Sequence, residues 1–494
     1  MVSTAQHPKG LWVLFFTEMW ERFSFYGMRA LLVLYLTSKL IKGGFEFDEN
    51  HALEIYAIFT SLIYLTPILG GMIADRIMGQ RKMIYIGALT MAIGQICMAV
   101  SESNAGMETR QTWLFLGLGM LILGNGFFKP NISTIVGRLY SDGDPRKDGG
   151  FTIFYMGINL GAFISPLIAG ALGETVGWSW GFGSAAVGML IGTVWFGLQS
   201  HKLGNLGFEP KRIFVEGEVS RITKTDWLQI GYWTIGTLVA VFAFISIWWK
   251  LPSMVTMGIM GIAAASAIGG IAYTVFKNTS GSDEWSRIRA ILIFAFFNIF
   301  FWVGFEQAGG TFSIFARELT DRSFFHWEIP ASMFQAINAI AIVGFAPLFS
   351  LLWIRLGKYN PSTPLKFSLA LALLGVGFIV MQIASSIATP TNLVSPMWLV
   401  MVYVIHTTGE LCLSPVGLSM ISKLSPPKIT SLMMGLWFAS FSLAYYFAGT
   451  LKSILEKNFP NMPLYLFLII TSFTAAALML AVSPFLKRMM RGID

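Results

Sequence analysis

Charge is what this chain has least of. Of its 494 residues, 12% are charged and 55% hydrophobic, and mean hydropathy is +0.65. That leaves too little polar surface to wrap a soluble globule of this size. Cysteine is almost absent as well: Cys97 and Cys412 stand apart in apolar runs, with no C-x-x-C or Cys/His spacing that would signal a disulfide framework or a metal site. No H-E-x-x-H, no G-x-S-x-G and no glycine-rich loop ahead of a Lys-Ser/Thr pair occurs, so neither an enzyme nor an ATP-driven pump is expected. A net charge of +8 would suggest nucleic acid in a soluble protein. Here Lys and Arg gather in short loops, where they orient a chain in a bilayer, so the expected partner is lipid and not nucleic acid.

Apolar runs of membrane length are abundant. Crossing a hydrocarbon core of roughly 30 Å takes about 20 residues. Such runs occur at 11–40, 53–75, 82–100, 112–138, 150–173, 178–198, 227–249, 252–276, 287–316, 330–356, 364–388, 396–422, 430–455 and 463–486. The first carries charges and has no small-residue cleavage site, unlike a removable signal peptide. Fourteen transmembrane helices are expected, in an all-α polytopic membrane protein.

Basic residues mark one side of the membrane: Arg76, Arg81 and Lys82; Arg138, Arg146 and Lys147; Lys202, Lys211 and Arg212; Arg355, Lys358 and Lys366; Lys423 and Lys428; and Lys487, Arg488 and Arg491. Loops around Glu46, Asp48, Glu49, Glu102 and Glu108 are acidic. By the positive-inside rule both termini are cytoplasmic. The longest polar connection, roughly 199–226, precedes the charge-poor helix pair at 227–249 and 252–276. Setting that pair aside leaves six and six. The expected organisation is an N-terminal six-helix bundle at 1–200, a linker with two additional helices at 201–285, and a C-terminal six-helix bundle at 286–494. This arrangement resembles the major facilitator fold, in which two halves rock about a midplane site.

Ionisable groups at bilayer depth cost several kcal/mol unless they face a cavity or a partner, so each is a functional candidate. They are Glu18, Glu21, Arg22 and Arg29 in the first span, Lys129 in "GNGFFKPNIS", Glu306 in "FFWVGFEQAGG" and Glu410 in "TTGELCLSPVG". At 100° per residue Glu18, Arg22 and Arg29 fall within about 40° of one another, with Glu21 about 60° to one side, so the first span has one charged face. The i,i+4 pair Glu18/Arg22 holds part of that charge locally. Pro130 favours a kink beside Lys129. His406, one turn before Glu410, stands where it could share a proton with it.

"GGMIADRIMGQRK", from Gly70 to Lys82, resembles the loop signature of the major facilitator superfamily. The resemblance implies a conformational latch at Gly71, Asp75 and Arg76, with Gly71 allowing close helix approach. Over essentially its whole length the chain resembles the bacterial proton-dependent oligopeptide transporter family. The carriers are Glu18-x-x-Glu21-Arg22, "FTIFYMGINLGAF" at 151–163, Glu306-Gln307 and "GELCLSPVGLS" at 409–419.

That resemblance implies a proton-coupled symporter importing di- and tripeptides across the bacterial inner membrane, monomeric, with protons as the coupling ion and no other cofactor. It assigns proton coupling to Glu18, Glu21, Arg22, Arg29, Lys129 and Glu306, with Arg29 pairing with Glu306 and Lys129 with Glu410. Glu410 would receive the peptide ammonium, and Arg22 with Lys129 its carboxylate. Asn159 and Asn338 would hydrogen-bond the peptide, Tyr26, Tyr64, Trp302 and Trp437 would line the cavity, and Ser414 belongs to the same binding set. Phe25 stands where many relatives carry tyrosine, which bears on peptide preference. Two other readings are a family relative moving nitrate or a conjugated metabolite, and a non-transporting peptide sensor.

Overall fold

The structure is a computed structural model, and it describes residues 7–74, 78–141, 144, 146–208, 275–276, 279, 281–426 and 430–492. Twelve helices of 19 residues or more occur among them: α1 (Lys9–Thr37), α2 (Glu49–Ile73), α3 (Gln80–Val100), α4 (Met107–Arg138), α5 (Lys147–Ser165), α6 (Trp178–Gln199), α7 (Ser282–Phe305), α8 (Ala336–Leu356), α9 (Thr363–Ile387), α10 (Met397–Leu424), α11 (Thr430–Asn458) and α12 (Leu464–Met489). The expected extra pair at 227–249 and 252–276 lies outside the described residues, apart from Val275 and Phe276. Nine described segments are long and apolar enough to cross a membrane. The segment containing α1 is not among them, because its charges interrupt every sufficiently apolar stretch.

The chain divides into two compact units. One holds 1–31, 39–44 and 65–256, and the other holds 32–38, 45–64 and 257–494. The end of α1 and the first part of α2 thus group with α7–α12. Arg317 helps hold them there: its guanidinium donates to the Leu34 carbonyl (3.1 Å) near the end of α1, a carbonyl that also accepts from the Ser38 backbone amide (3.0 Å) and hydroxyl (2.7 Å).

Within the first unit, α3 packs along α4 through glycine. A Cβ at Gly94 or at Gly117 would lie 2.9 Å from the other's carbonyl oxygen, and one at Gly124 would lie 2.7 Å from the Gly87 carbonyl. Both pairs are seven residues apart on their own helices, so the small positions form a seam on which the backbones meet. Gly124→Val puts methyl groups against backbone that cannot move aside, an overpacking worth about 1–3 kcal/mol. We expect a lower apparent melting temperature for purified Gly124→Val than for the parent in the same detergent; an unchanged value would contradict the packing.

The closest approach of α2 to α4 is at Gly70, where a Cβ would overlap the Gly126 carbonyl. The sequence reading placed it at Gly71, but a Cβ there would lie 3.7 Å from Pro130, an ordinary contact. Pro130 supplies no N–H to the Gly126 carbonyl four residues earlier, and α4 nevertheless continues through it. The Asn131 side-chain amide donates back to the Phe127 carbonyl one turn earlier (2.6 Å).

In the second unit, α9 packs with α10 and α12, and α7 packs with α11. The run expected at 287–316 does not continue as one helix. α7 ends at Phe305, a 3-10 turn covers Glu306–Gly309, and a short helix follows at Thr311–Glu318. Gln307 fastens the break: its amide donates to the Val303 (3.1 Å) and Ala448 (2.9 Å) carbonyls, and its oxygen accepts from Thr311 (2.9 Å). Glu306 therefore sits where the helix changes pitch, a position typical of functional hinges.

Candidate functional site

The charged face of α1 folds inward on itself. Glu18, Glu21 and Arg22 are at most 4% exposed. Arg22 grips Glu21 with a two-pronged fork, Nη2 donating to Oε1 at 2.7 Å and Nε to Oε2, and Nε also lies 3.2 Å from Glu18 Oε1. The i,i+4 pair expected from the sequence is present, yet the adjacent residue is the tighter partner. A planar guanidinium matches a carboxylate with two parallel bonds, which an ammonium cannot do. Asn125 of α4 donates to Glu21 Oε1 at 3.2 Å. The half-buried Lys129, one turn further along α4, feels the charges of Glu18, Glu21 and Arg22.

The Arg22 guanidinium also lies 5.2 Å from the centre of the Phe25 ring, and Arg29 lies 5.7 Å from that of Tyr26. The ring face at position 25 thus supports Arg22 whether or not a hydroxyl is attached. Asn159 is buried, and its amide donates to the Tyr155 carbonyl one turn earlier (2.9 Å).

In the second unit Glu410, 8% exposed, is held by Asn338, whose amide donates to Glu410 Oε2 (2.9 Å) and to Thr407 Oγ1 (3.0 Å). One turn along α10, Ser414 Oγ is buried and has no hydrogen-bond partner among the described residues; the same holds for Trp437 Nε1. The Trp437 ring packs against α10 at Gly417, on the face that carries Ser414. Tyr64, Trp302 and Trp437 are brought together by Phe441: Tyr64 stacks on it at 5.6 Å, Trp302 lies at 5.0 Å and Trp437 at 5.9 Å. Tyr445 donates to the Tyr64 hydroxyl (3.2 Å), and Trp302 Nε1 donates to Asn298 (3.1 Å). Glu306 is 2% exposed and faces the Tyr56 hydroxyl at 3.4 Å.

His406 does not join Glu410. Its Nε2 lies 3.2 Å from the Leu374 carbonyl, to which it donates, and its ring sits against Phe378 (4.9 Å) and Phe312 (5.9 Å). The ring is held between a backbone carbonyl and aromatic faces, away from Glu410. Of the expected latch residues Gly71 is described, while Asp75 and Arg76 lie outside the described residues.

Sequence reasoning missed Asn125, Asn298, Tyr56, Phe441 and Tyr445. The two asparagines had a readable signal, a buried amide within an apolar run, which attention to ionisable groups alone passes over. The three aromatics had none, since a helix facing lipid carries the same residues.

Charge of both signs buried in membrane-length helices of the first unit, and hydrogen-bonded buried acids with an aromatic cluster in the second, define a multi-pass membrane transporter. The POT family sequence profile matches residues 81–465, and the chain belongs to that family. It is 36% identical to the peptide transporter YePEPT of Yersinia enterocolitica, over 98% of this chain and 96% of the relative. It is 35% identical to a di-/tripeptide transporter of Lactococcus lactis, over 88% and 87%. A crystal structure of a peptide transporter POT in complex with sulfate superposes with a TM-score of 0.84 at 35% identity, covering 98% of this chain and 96% of that one. The protein therefore has the major facilitator fold.

Proposed function

We propose that the protein is a proton-coupled symporter that imports di- and tripeptides across a bacterial cytoplasmic membrane by alternating access, as a monomer with both termini inside. The observation that carries this reading is the buried Glu18–Glu21–Arg22 cluster beside Lys129. A dry site with two acids and two bases changes its net charge by one with each proton gained, which is what coupling a proton to a zwitterionic cargo requires.

In this reading Arg22 and Lys129 take the peptide carboxylate and Glu410 its ammonium. Asn338 positions Glu410 and contacts the peptide, and Asn159 offers a second amide. Ser414 and the Trp437 indole N–H are buried polar groups that a bound peptide would satisfy, while Tyr26, Tyr64 and Trp302 form walls that tolerate varied side chains. Glu306 carries the proton and exchanges partners with Arg29. Gly71, Asp75 and Arg76 latch the cytoplasmic face. The bundles at 1–200 and 286–494 are the moving halves, and the segment at 201–285 joins them.

The test is uptake of labelled dialanine into proteoliposomes with and without an inward proton gradient. Uptake that needs the gradient and is abolished by unlabelled di- and tripeptides supports the reading. Uptake indifferent to competing peptides would transfer the assignment to nitrate or a conjugated metabolite, and binding without uptake would leave a sensor.

Asn338→Ala removes a hydrogen bond to a charged group, an interaction worth about 1.5–3 kcal/mol. The expected result is a rise of about tenfold or more in KM for dialanine; an unchanged KM would remove Asn338 from the site.

A further inference from the structure

Between α7 and α8 the chain forms a small hairpin whose tip is apolar and fully outside the fold. Ser323 pairs with Glu328 and Phe324 with Trp327, leaving Phe325 and His326 as a two-residue turn. Phe324 is 57% exposed, Phe325 90% and Trp327 49%. A two-residue hairpin turn in which only the first residue takes a positive φ favours glycine at that position. Phe325 adopts φ +55°, a conformation that a bulky side chain resists. Apart from an edge contact with the neighbouring Phe324 ring (4.8 Å), itself exposed, the Phe325 ring lies outside the fold, so the fold gains little in return for that strain.

The base of the hairpin is firmly tied. Arg322 donates to the Ile329 carbonyl (2.7 Å) and pairs with Glu328 (2.6 Å), and the Ile329 amide donates back to the Arg322 carbonyl (2.8 Å). The Asp321 amide donates to the Val394 carbonyl (2.8 Å) and the Val394 amide to the Leu319 carbonyl (3.0 Å), which joins the hairpin to the loop before α10. The tip is thus presented by a rigid support.

Immediately after the hairpin comes the membrane segment 331–359, the least buried of the nine: only 17% of its most apolar window lies inside the protein. Ile340, Val343, Leu348, Leu351 and Ile354 are exposed along it, so this segment meets lipid. Five residues separate Phe325 from its start, at most ~20 Å of extended chain, and the polar interfacial layer is several ångströms deep on each side of the hydrocarbon. Aromatic side chains collect in that layer, and charged groups behind them stay in water.

We propose that the hairpin is a membrane anchor: Phe324, Phe325 and Trp327 insert into the lipid headgroup layer beside α8, while Arg322 and Glu328 remain in water at the base. The lipid-facing surface of α8 is thereby extended sideways past the end of the helix, fixing the height of the α7–α8 connection against the bilayer.

The test uses Phe325→Cys carrying an environment-sensitive fluorophore in proteoliposomes, with Cys97 and Cys412, both buried, replaced by alanine. Thr391→Cys, in the exposed loop between α9 and α10, serves as the aqueous control. The expected result is a blue-shifted emission at 325, quenched by lipids carrying a shallow nitroxide and protected from iodide, with the reverse at 391. A label at 325 that behaves like the one at 391 would overturn the proposal. Protection from iodide without nitroxide quenching, lost as protein is diluted in the vesicles, would also overturn it in favour of a second copy of the chain. As a further readout that spares the turn, a label at His326→Cys should lose shallow quenching when Phe325→Gly is added, since glycine suits the positive φ and removes the ring; unchanged quenching would refute the role of Phe325.

Discussion

Glu306→Gln should abolish gradient-driven accumulation of dialanine while leaving exchange of peptide across the membrane in place. The acid is 2% exposed, at the break between α7 and its 3-10 turn, with the Tyr56 hydroxyl beside it. Glutamine keeps the shape and hydrogen bonding of the side chain and removes only its proton chemistry. Moving one charge down about 100 mV supplies about 2.3 kcal/mol, which corresponds to roughly fiftyfold accumulation. Counterflow measured with peptide on both sides and no gradient checks the second half of the expectation. If Glu306→Gln still concentrates peptide under a gradient, Glu306 is not the coupling acid.

Arg22→Lys should be nearly as damaging as Arg22→Met, because the fork and not the charge alone is what Glu21 requires. Arg22 satisfies both oxygens of Glu21 and one of Glu18 in a dry environment. Lysine can meet one oxygen at a time and leaves the other contacts of the fork unmade, with only Asn125 still donating to Glu21. Breaking a buried ion pair from one side costs about 3–5 kcal/mol, since the remaining charge stays buried. We expect uptake to fall about a hundredfold or more in either variant, with a lower apparent melting temperature. The double variant Arg22→Met/Glu21→Gln removes both charges and should recover most of the melting temperature and none of the transport. Recovery of neither would show that the cluster holds the fold through contacts other than charge; recovery of both would remove it from the transport mechanism.

The fold was largely legible because bilayers impose a simple grammar: run length gives the spans, and scarce charges give the candidates. That grammar also set its limits. α1, the helix with the most intramembrane charge, is not among the segments apolar enough to count as spans by composition. The break after Phe305 was hidden because Gln307, which holds it through two carbonyls and Thr311, gives no sign in sequence of where its side chain will turn. The charged face of α1 could be drawn from helical periodicity, but a wheel places Glu21 to one side of Arg22. Only rotamers show that this neighbour, and not the residue one turn away, is the close partner. For His406 spacing left both a shared proton with Glu410 and a structural place open, and the aromatic rings that decide for the second could be known only from tertiary packing.

The glycine seam between α3 and α4 bears on how the protein is made. Six residues, 101–106, connect the two helices, and their contact is backbone against backbone at Gly87, Gly94, Gly117 and Gly124. Such a contact needs no side chain from a later helix to complete it and fixes few rotamers as it forms. The pair can therefore close as soon as α4 has left the ribosome and entered the bilayer, well before α7–α12 have been synthesised. A finished hairpin then waits in the membrane as a template on which α6, which also packs on α3, can settle when it arrives.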